Sequence, residues 1–156
     1  DSATATSYEL LRTMDLAMLP VEPGRSTVDD FAVILLRKLG YTPVGRRAIR
    51  TRKNIPFLIY GEKRLAKTDV CIIADDGISR VGKNKGKGEE PIPHLVAEAI
   101  TVFRSNNVAR EQTLGLSPIP LKVIPGIPME GTSPTFFKIP VTQNMMTVVM
   151  GGVPCY

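Results

Sequence analysis

Residues 66–100 carry strand, turn, strand, loop and helix signals in direct succession, with one acid set inside the first strand. Lys67-Thr68-Asp69-Val70-Cys71-Ile72-Ile73-Ala74 is rich in β-branched side chains, which pack well on a pleated surface. It runs into Asp75-Asp76-Gly77, where aspartate and glycine favour a tight reversal. Asp69 is therefore expected as a strand carboxylate. Ile78-Ser79-Arg80-Val81 reads as the returning strand and leads into Gly82-Lys83-Asn84-Lys85. Residues 91–106 then have helical spacing and carry Glu98.

The chain has 156 residues, 43% of them apolar, which suits one domain, 1–156, with a genuine core. Arg, Lys or Pro interrupts every apolar stretch before the roughly 18 residues needed to span a bilayer. A soluble chain without a membrane span is expected. Cys71 and Cys155 are the two cysteines, one inside a predicted strand and one next to the last residue, which indicates neither a disulfide framework nor a thiolate metal site. A reducing, intracellular setting follows as the expectation, with secretion as the alternative.

Charge is unevenly spread. Between positions 41 and 88 twelve basic residues face four acids, a local charge of +8 within a total of +5, which leaves −3 for the rest of the chain. Such asymmetry is the footprint of a surface that meets phosphates, and equally of a solvated basic face.

On either side of that segment the signals are helical and then mixed. Residues 1–7 are small and polar and are expected to fray, whereas Leu10, Leu11, Met14 and Met18 have helix-compatible spacing that Pro20 and Pro23 stop. Ser26 or Thr27 is placed to cap a second helix over 27–39, with Asp29 and Asp30 near the positive end of its dipole and Phe31, Val33, Ile34, Leu35 and Leu36 as its apolar face. Short β-prone runs at 48–52 and 55–60 follow Gly40. Residues 117–134 are rich in Pro and Gly yet too apolar for a free linker, and are expected as a packed loop. Residues 135–141 alternate as a strand does, and 143–149 suit either a short helix or another strand.

Metal-assisted phosphodiester cleavage needs two carboxylates for a hard divalent cation and a lysine near the attacking water. Asp69 fits the first carboxylate and Lys85 the lysine. The second acid belongs two residues before the lysine, because period-two alternation aims both side chains at one site. That position is Lys83, whose charge opposes a metal. Glu89, Glu90, Asp75, Asp76 and Glu98 are the other acids within reach along the chain. Asp69 alone is thus the metal candidate, too little for tight Mg²⁺ binding. The run from Gly82 to Gly88 departs from the nucleotide-cradling pattern, since Gly88 stands where a hydroxyl belongs. Lys83, Lys85 and Lys87 instead make a basic loop that can reach phosphates without reading bases, together with Arg50, Arg52 and Lys53. His94 is the one histidine, at the start of the 91–106 helix; with no nucleophile motif beside it, a triad enzyme is disfavoured.

Several of these segments, in order and spacing, match one pattern: Asp29-Asp30-Phe31-Ala32, Arg50 to Pro56, Lys67-Thr68-Asp69-Val70-Cys71, Ala97-Glu98-Ala99-Ile100, Asn106-Asn107, and Phe137 to Thr142. Over most of 27–152 the chain resembles a family of uncharacterised basidiomycete fungal proteins whose core is similar to the PD-(D/E)XK nucleases. The resemblance implies an α/β, restriction-endonuclease-like fold, a mixed central sheet flanked by helices. It carries the strand aspartate onto Asp69, the motif lysine onto Lys85, the polar helix residue onto His94 and the helix acid onto Glu98. The motif glutamate falls on Lys83, which removes a metal ligand. A nucleic-acid-associated domain with a degenerate metal site, and weak or absent phosphodiester hydrolysis, is the resulting expectation. Two alternatives stay open: a non-enzymatic fungal defence or interaction protein with a basic binding face, and a metal-independent ribonuclease-type toxin using His94, lysines and Glu98.

Overall fold

The computed structural model describes residues 2–19, 25–41, 47–59, 62–74, 77–84 and 90–151. In chain order the elements are α1 (Ser2–Met18), α2 (Arg25–Lys38), β1 (Arg47–Ile59), β2 (Glu62–Ala74), β3 (Gly77–Asn84), α3 (Pro91–Leu114), β4 (Leu121–Glu130), β5 (Ser133–Pro134), β6 (Phe137–Thr142) and α4 (Gln143–Gly151). The strands form one sheet in the order β1-β2-β3-β4-β5, with β6 also paired to β4. β1, β2 and β3 are a meander of antiparallel neighbours, β3 and β4 run parallel, and β5 and β6 return antiparallel to β4. The parallel pair needs a crossover, and α3 supplies it. The architecture is mixed α/β, with helices on both faces of a mixed sheet.

Helical spacing sets the two cores. On α2, Val28, Phe31, Ala32 and Leu36 recur every three to four residues and bury against Val70 and Ile72 of β2 and Ile127 and Met129 of β4, with Ala17 of α1 joining from outside. On α3, Leu95, Ala99, Val102 and Phe103 make the matching stripe on the opposite face, against Ile55, Cys71, Ile124 and Val141. α3 lies so close to β4 that a Cβ added at Gly126 would stand 2.5 Å from Leu95 Cδ2. The helix stops at Gly115, whose φ of 63° lets the following Leu116 N–H reach back to the Arg110 carbonyl at 2.9 Å. Beyond it, buried Asn107 ties down the following loop: its Oδ1 accepts from Ile119 N–H at 3.0 Å and its Nδ2 donates to the Ile119 carbonyl at 3.1 Å.

β1 contains the one non-glycine residue with positive φ among those described, Arg52 at 52°. The ladder to β2 pairs Thr51 with Val70 and Lys53 with Thr68 on either side of it. Strict alternation would put Ile49 and Ile55 on one face. They pack on opposite faces, Ile49 toward α2 and Ile55 under α3, because the left-handed residue between them reverses the pleat.

Four expectations need correction. Residues 2–7, expected to fray, lie within α1, which begins at Ser2, where Ala3 and Ala5 favour helix and neither Gly nor Pro intervenes; Asp1 falls outside the described residues. Residues 117–134 are not a packed loop throughout, since β4 and β5 lie within them. Composition misleads there: Pro125 and Pro128 keep their places in the ladder, opposite Lys138 and Lys83, and apolar side chains feed both cores. α2 begins at Arg25, so Ser26 and Thr27 lie in its first turn and do not precede it. α3 runs on past Asn106 to Leu114, because no breaker stands before Gly115. The runs at 48–52 and 55–60 are one strand, and 143–149 is helical. No described helix is long and apolar enough to cross a membrane.

Candidate functional site

Three buried carboxylates come from three elements around the middle of the sheet: Asp29 of α2, Asp69 of β2 and Glu98 of α3, each at most 5% exposed. Carboxylates are seldom buried to this degree without a partner or a task. Asp69 follows Thr68 at the interruption of the β1–β2 ladder, where Arg52 stands across from it. On its other side, the pairing of β2 with β3 ends at Val70 and Gly82, and Lys83, the next residue of β3, pairs with Pro128 of β4. The expected strand acid and helix acid are thus both buried.

The interruption is patched by side chains. Thr68 Oγ1 donates to the Lys53 carbonyl at 3.3 Å, across the two strands. Cys71, buried beneath α3, has its thiol pushed up by burial; a hydrogen bond with Thr68 and the charges of Lys53 and Arg50 pull it the other way, and Glu98 pushes it up further. Lys53, Arg50 and Glu98 are therefore close enough to share one electrostatic environment around that thiol.

Arg52 reaches the other layer. Its Nε lies 3.7 Å from Oδ2 of Asp29, while its side chain stays 57% exposed. Arg50, Thr51, Arg52, Lys53 and Ile73 line a pocket of about 310 Å³. Arg50, opposite Cys71, faces α3 as Ile73 does, whereas Thr51, opposite Val70, and the Arg52 guanidinium face α2, so the positive charge of this stretch of β1 is divided between the two faces of the sheet.

The expected residues divide accordingly. Asp69 and Glu98 are buried on β2 and α3, and Arg50, Arg52 and Lys53 are gathered on β1. His94 is exposed in the first turn of α3, apart in burial from Glu98. Lys83 lies on β3, whereas Lys85, Lys87, Glu89, Asp75 and Asp76 fall outside the described residues. Among the described residues no three of His, Cys, Asp and Glu converge on a point where a metal ion could sit. Asp29 is the residue that sequence reasoning placed only as a helix-start acid. Its spacing held the signal: with Ala32 and Leu36 it falls on one helical face, the face that α2 buries.

Compared with protein-family models, with curated proteins and with solved structures, the chain matches none of them.

Proposed function

We propose that this chain is a nucleic-acid-associated domain of the PD-(D/E)XK type, similar to the basidiomycete family named above, with a degenerate metal site and weak or absent phosphodiester hydrolysis. The observation that carries the reading is the concentration of Arg50, Arg52 and Lys53 along one stretch of β1, next to the strand that buries Asp69. The order of elements supports the nuclease-like frame: a helix, a three-stranded meander holding the acid on its second strand, a crossover helix holding Glu98, then a strand parallel to the third. A lysine, Lys83, where the motif glutamate is expected supports loss of the metal, since a cation there repels a divalent ion.

Association through phosphates is electrostatic and salt-sensitive. Each neutralised phosphate contributes a slope of about −0.9 to the plot of log affinity against log salt for duplex DNA, so the three β1 cations alone give a slope of about −3. Fluorescence anisotropy with labelled single- and double-stranded oligonucleotides at several salt concentrations is the test. A slope of that size or steeper, little dependence on base sequence, and weakening by charge reversal at Lys83, Lys85 and Lys87 are the expected outcomes. Affinity indifferent to salt overturns the reading and leaves a protein-directed basic face as the alternative.

A further inference from the structure

We infer that Arg50 and Lys53 form one phosphate-contacting pair on the α3 face of β1, and that the left-handed backbone of Arg52 is what brings them to a common face. The inference rests on the phosphate-binding reading above and says which of the β1 cations act together.

Register fixes the faces. Arg50 stands opposite Cys71, which packs beneath α3, and Lys53 alternates with Ile55, which packs there too. Thr51 stands opposite Val70 on the α2 side, where Arg52 reaches Asp29. On a regular strand, residues at i and i+3 point to opposite faces. Arg50 and Lys53 share a face because Arg52, at a φ of 52°, reverses the pleat between them. A residue with a Cβ is strained at that φ, and such a backbone persists where its surroundings enforce it. Here the Asp29 carboxylate, 3.7 Å from Arg52 Nε, holds one side of the reversal. The Thr68 hydroxyl, donating to the Lys53 carbonyl at 3.3 Å, holds the other.

Ion pairing separates the cations in the same way. Arg52 has Asp29 as its counter-ion, whereas among the described residues neither Arg50 nor Lys53 has an ion-pair partner. The charges of both act on the Cys71 thiol, which gathers them around one point of the α3 face. They and Ile73, on the same face, are among the residues that line the pocket of about 310 Å³. Glu98 acts on that thiol as well, but at 4% exposure it is withdrawn from solvent, while Arg50 is exposed and Lys53 half-buried. A phosphate arriving at this face from solution therefore meets the cations. Its several acceptor oxygens let it take donors from a guanidinium and an ammonium at once.

Double-mutant cycles and a titration, both on the full chain, test this. Affinity for a labelled oligonucleotide is measured by anisotropy at fixed salt for Arg50→Gln, Lys53→Gln, Arg52→Gln and their pairwise combinations. Arg50→Gln and Lys53→Gln are each expected to weaken binding about tenfold, and together about thirtyfold, short of the roughly hundredfold of independent sites. Arg52→Gln is expected to combine additively with either one. Inorganic phosphate is titrated separately into protein labelled with ¹⁵N-arginine, where the Arg50 Nε–Hε resonance should shift saturably, with about fivefold weaker affinity in Lys53→Gln. Arg52→Gly should unfold about 2–4 °C above Arg52→Ala, since both lose the guanidinium and only glycine adopts a positive φ freely. Equal unfolding temperatures for those two variants remove the reversal and overturn the inference. Additive effects of Arg50→Gln and Lys53→Gln, or equally strong coupling of Arg52→Gln to either, overturn it as well. Salt-dependent oligonucleotide binding with no response of Arg50 to phosphate refutes the pair and leaves the nucleic-acid reading standing. A saturable response at Arg50, weakened by Lys53→Gln, without oligonucleotide binding does the reverse.

Discussion

Cys71 shows how one side chain reports on its surroundings. Burial pushes its thiol up toward the neutral form, with the charge of Glu98 adding to this and a hydrogen bond with Thr68 and the charges of Lys53 and Arg50 opposing it. A group whose folded-state pKa lies above its unfolded value binds more protons in the native chain, so its contribution to stability is complete below the ordinary thiol range. It is lost as pH climbs through that range toward the raised value. Denaturant unfolding at a series of alkaline pH values should therefore show the unmodified chain losing stability faster than Cys71→Ala, by at most about 1.4 kcal/mol per pH unit. Parallel pH profiles for the two proteins would mean that the thiol is not held neutral by the fold. A buried, protonated thiol should also resist alkylation at neutral pH until the chain opens.

Among the elements, the contact between α3 and β4 depends on an absent side chain. Gly126 lets Leu95 rest on the strand, and an added Cβ would lie 2.5 Å from its Cδ2 and 3.0 Å from Ile139 Cδ1. Overpacking of this kind costs about 1–3 kcal/mol. Gly126→Ala should lower the urea midpoint accordingly, and trimming the facing residue by Leu95→Val should recover part of the loss when the two changes are combined. Additive destabilisation in the double variant would mean that these two positions do not meet. Elements were legible in the sequence wherever one signal ruled: the Asp69 strand, the Glu98 helix and the β1 runs all follow from periodicity and β-branched content. β4 was hidden because Pro125, Gly126 and Pro128 are turn residues by composition, and their tolerance in a strand comes from ladder neighbours and a close helix that only the folded chain supplies. The reversal at Arg52 was hidden for a similar reason, since an arginine carries no local preference for a left-handed backbone. Asp69 was expected as a strand carboxylate from its apolar flanks, and Glu98 as the helix acid from the family resemblance. Asp29 needed its partner across the layers to acquire a role.

For the molecule as a whole, charge and acid placement point in different directions, and that difference decides the expected chemistry. The +8 of residues 41–88 is partly carried by β1, an edge strand of the described sheet, where charged side chains also discourage pairing with another chain. The carboxylates Asp29, Asp69 and Glu98 are buried inside the layers that flank this strand. Among the described residues, cations lie on β1 and acids within the layers, and no group of three possible ligands converges for a divalent ion. The decisive position is Lys83, which stands where the motif glutamate is expected. Little or no magnesium-dependent cleavage of DNA or RNA is therefore expected from the unmodified chain. Replacing Lys83→Glu together with Asn84→Asp turns the cation into a carboxylate and adds a second one next to it, which should bring Mg²⁺ or Mn²⁺ binding into the range of titration calorimetry. Circular dichroism should confirm that the double variant keeps the helix and strand content of the parent. A folded double variant that still binds no metal would show that the strand acids do not converge as a nuclease site requires. Robust magnesium-dependent cleavage by the unmodified protein, abolished by Asp69→Ala, would refute the degenerate-site reading and show that another acid supplies the missing ligand.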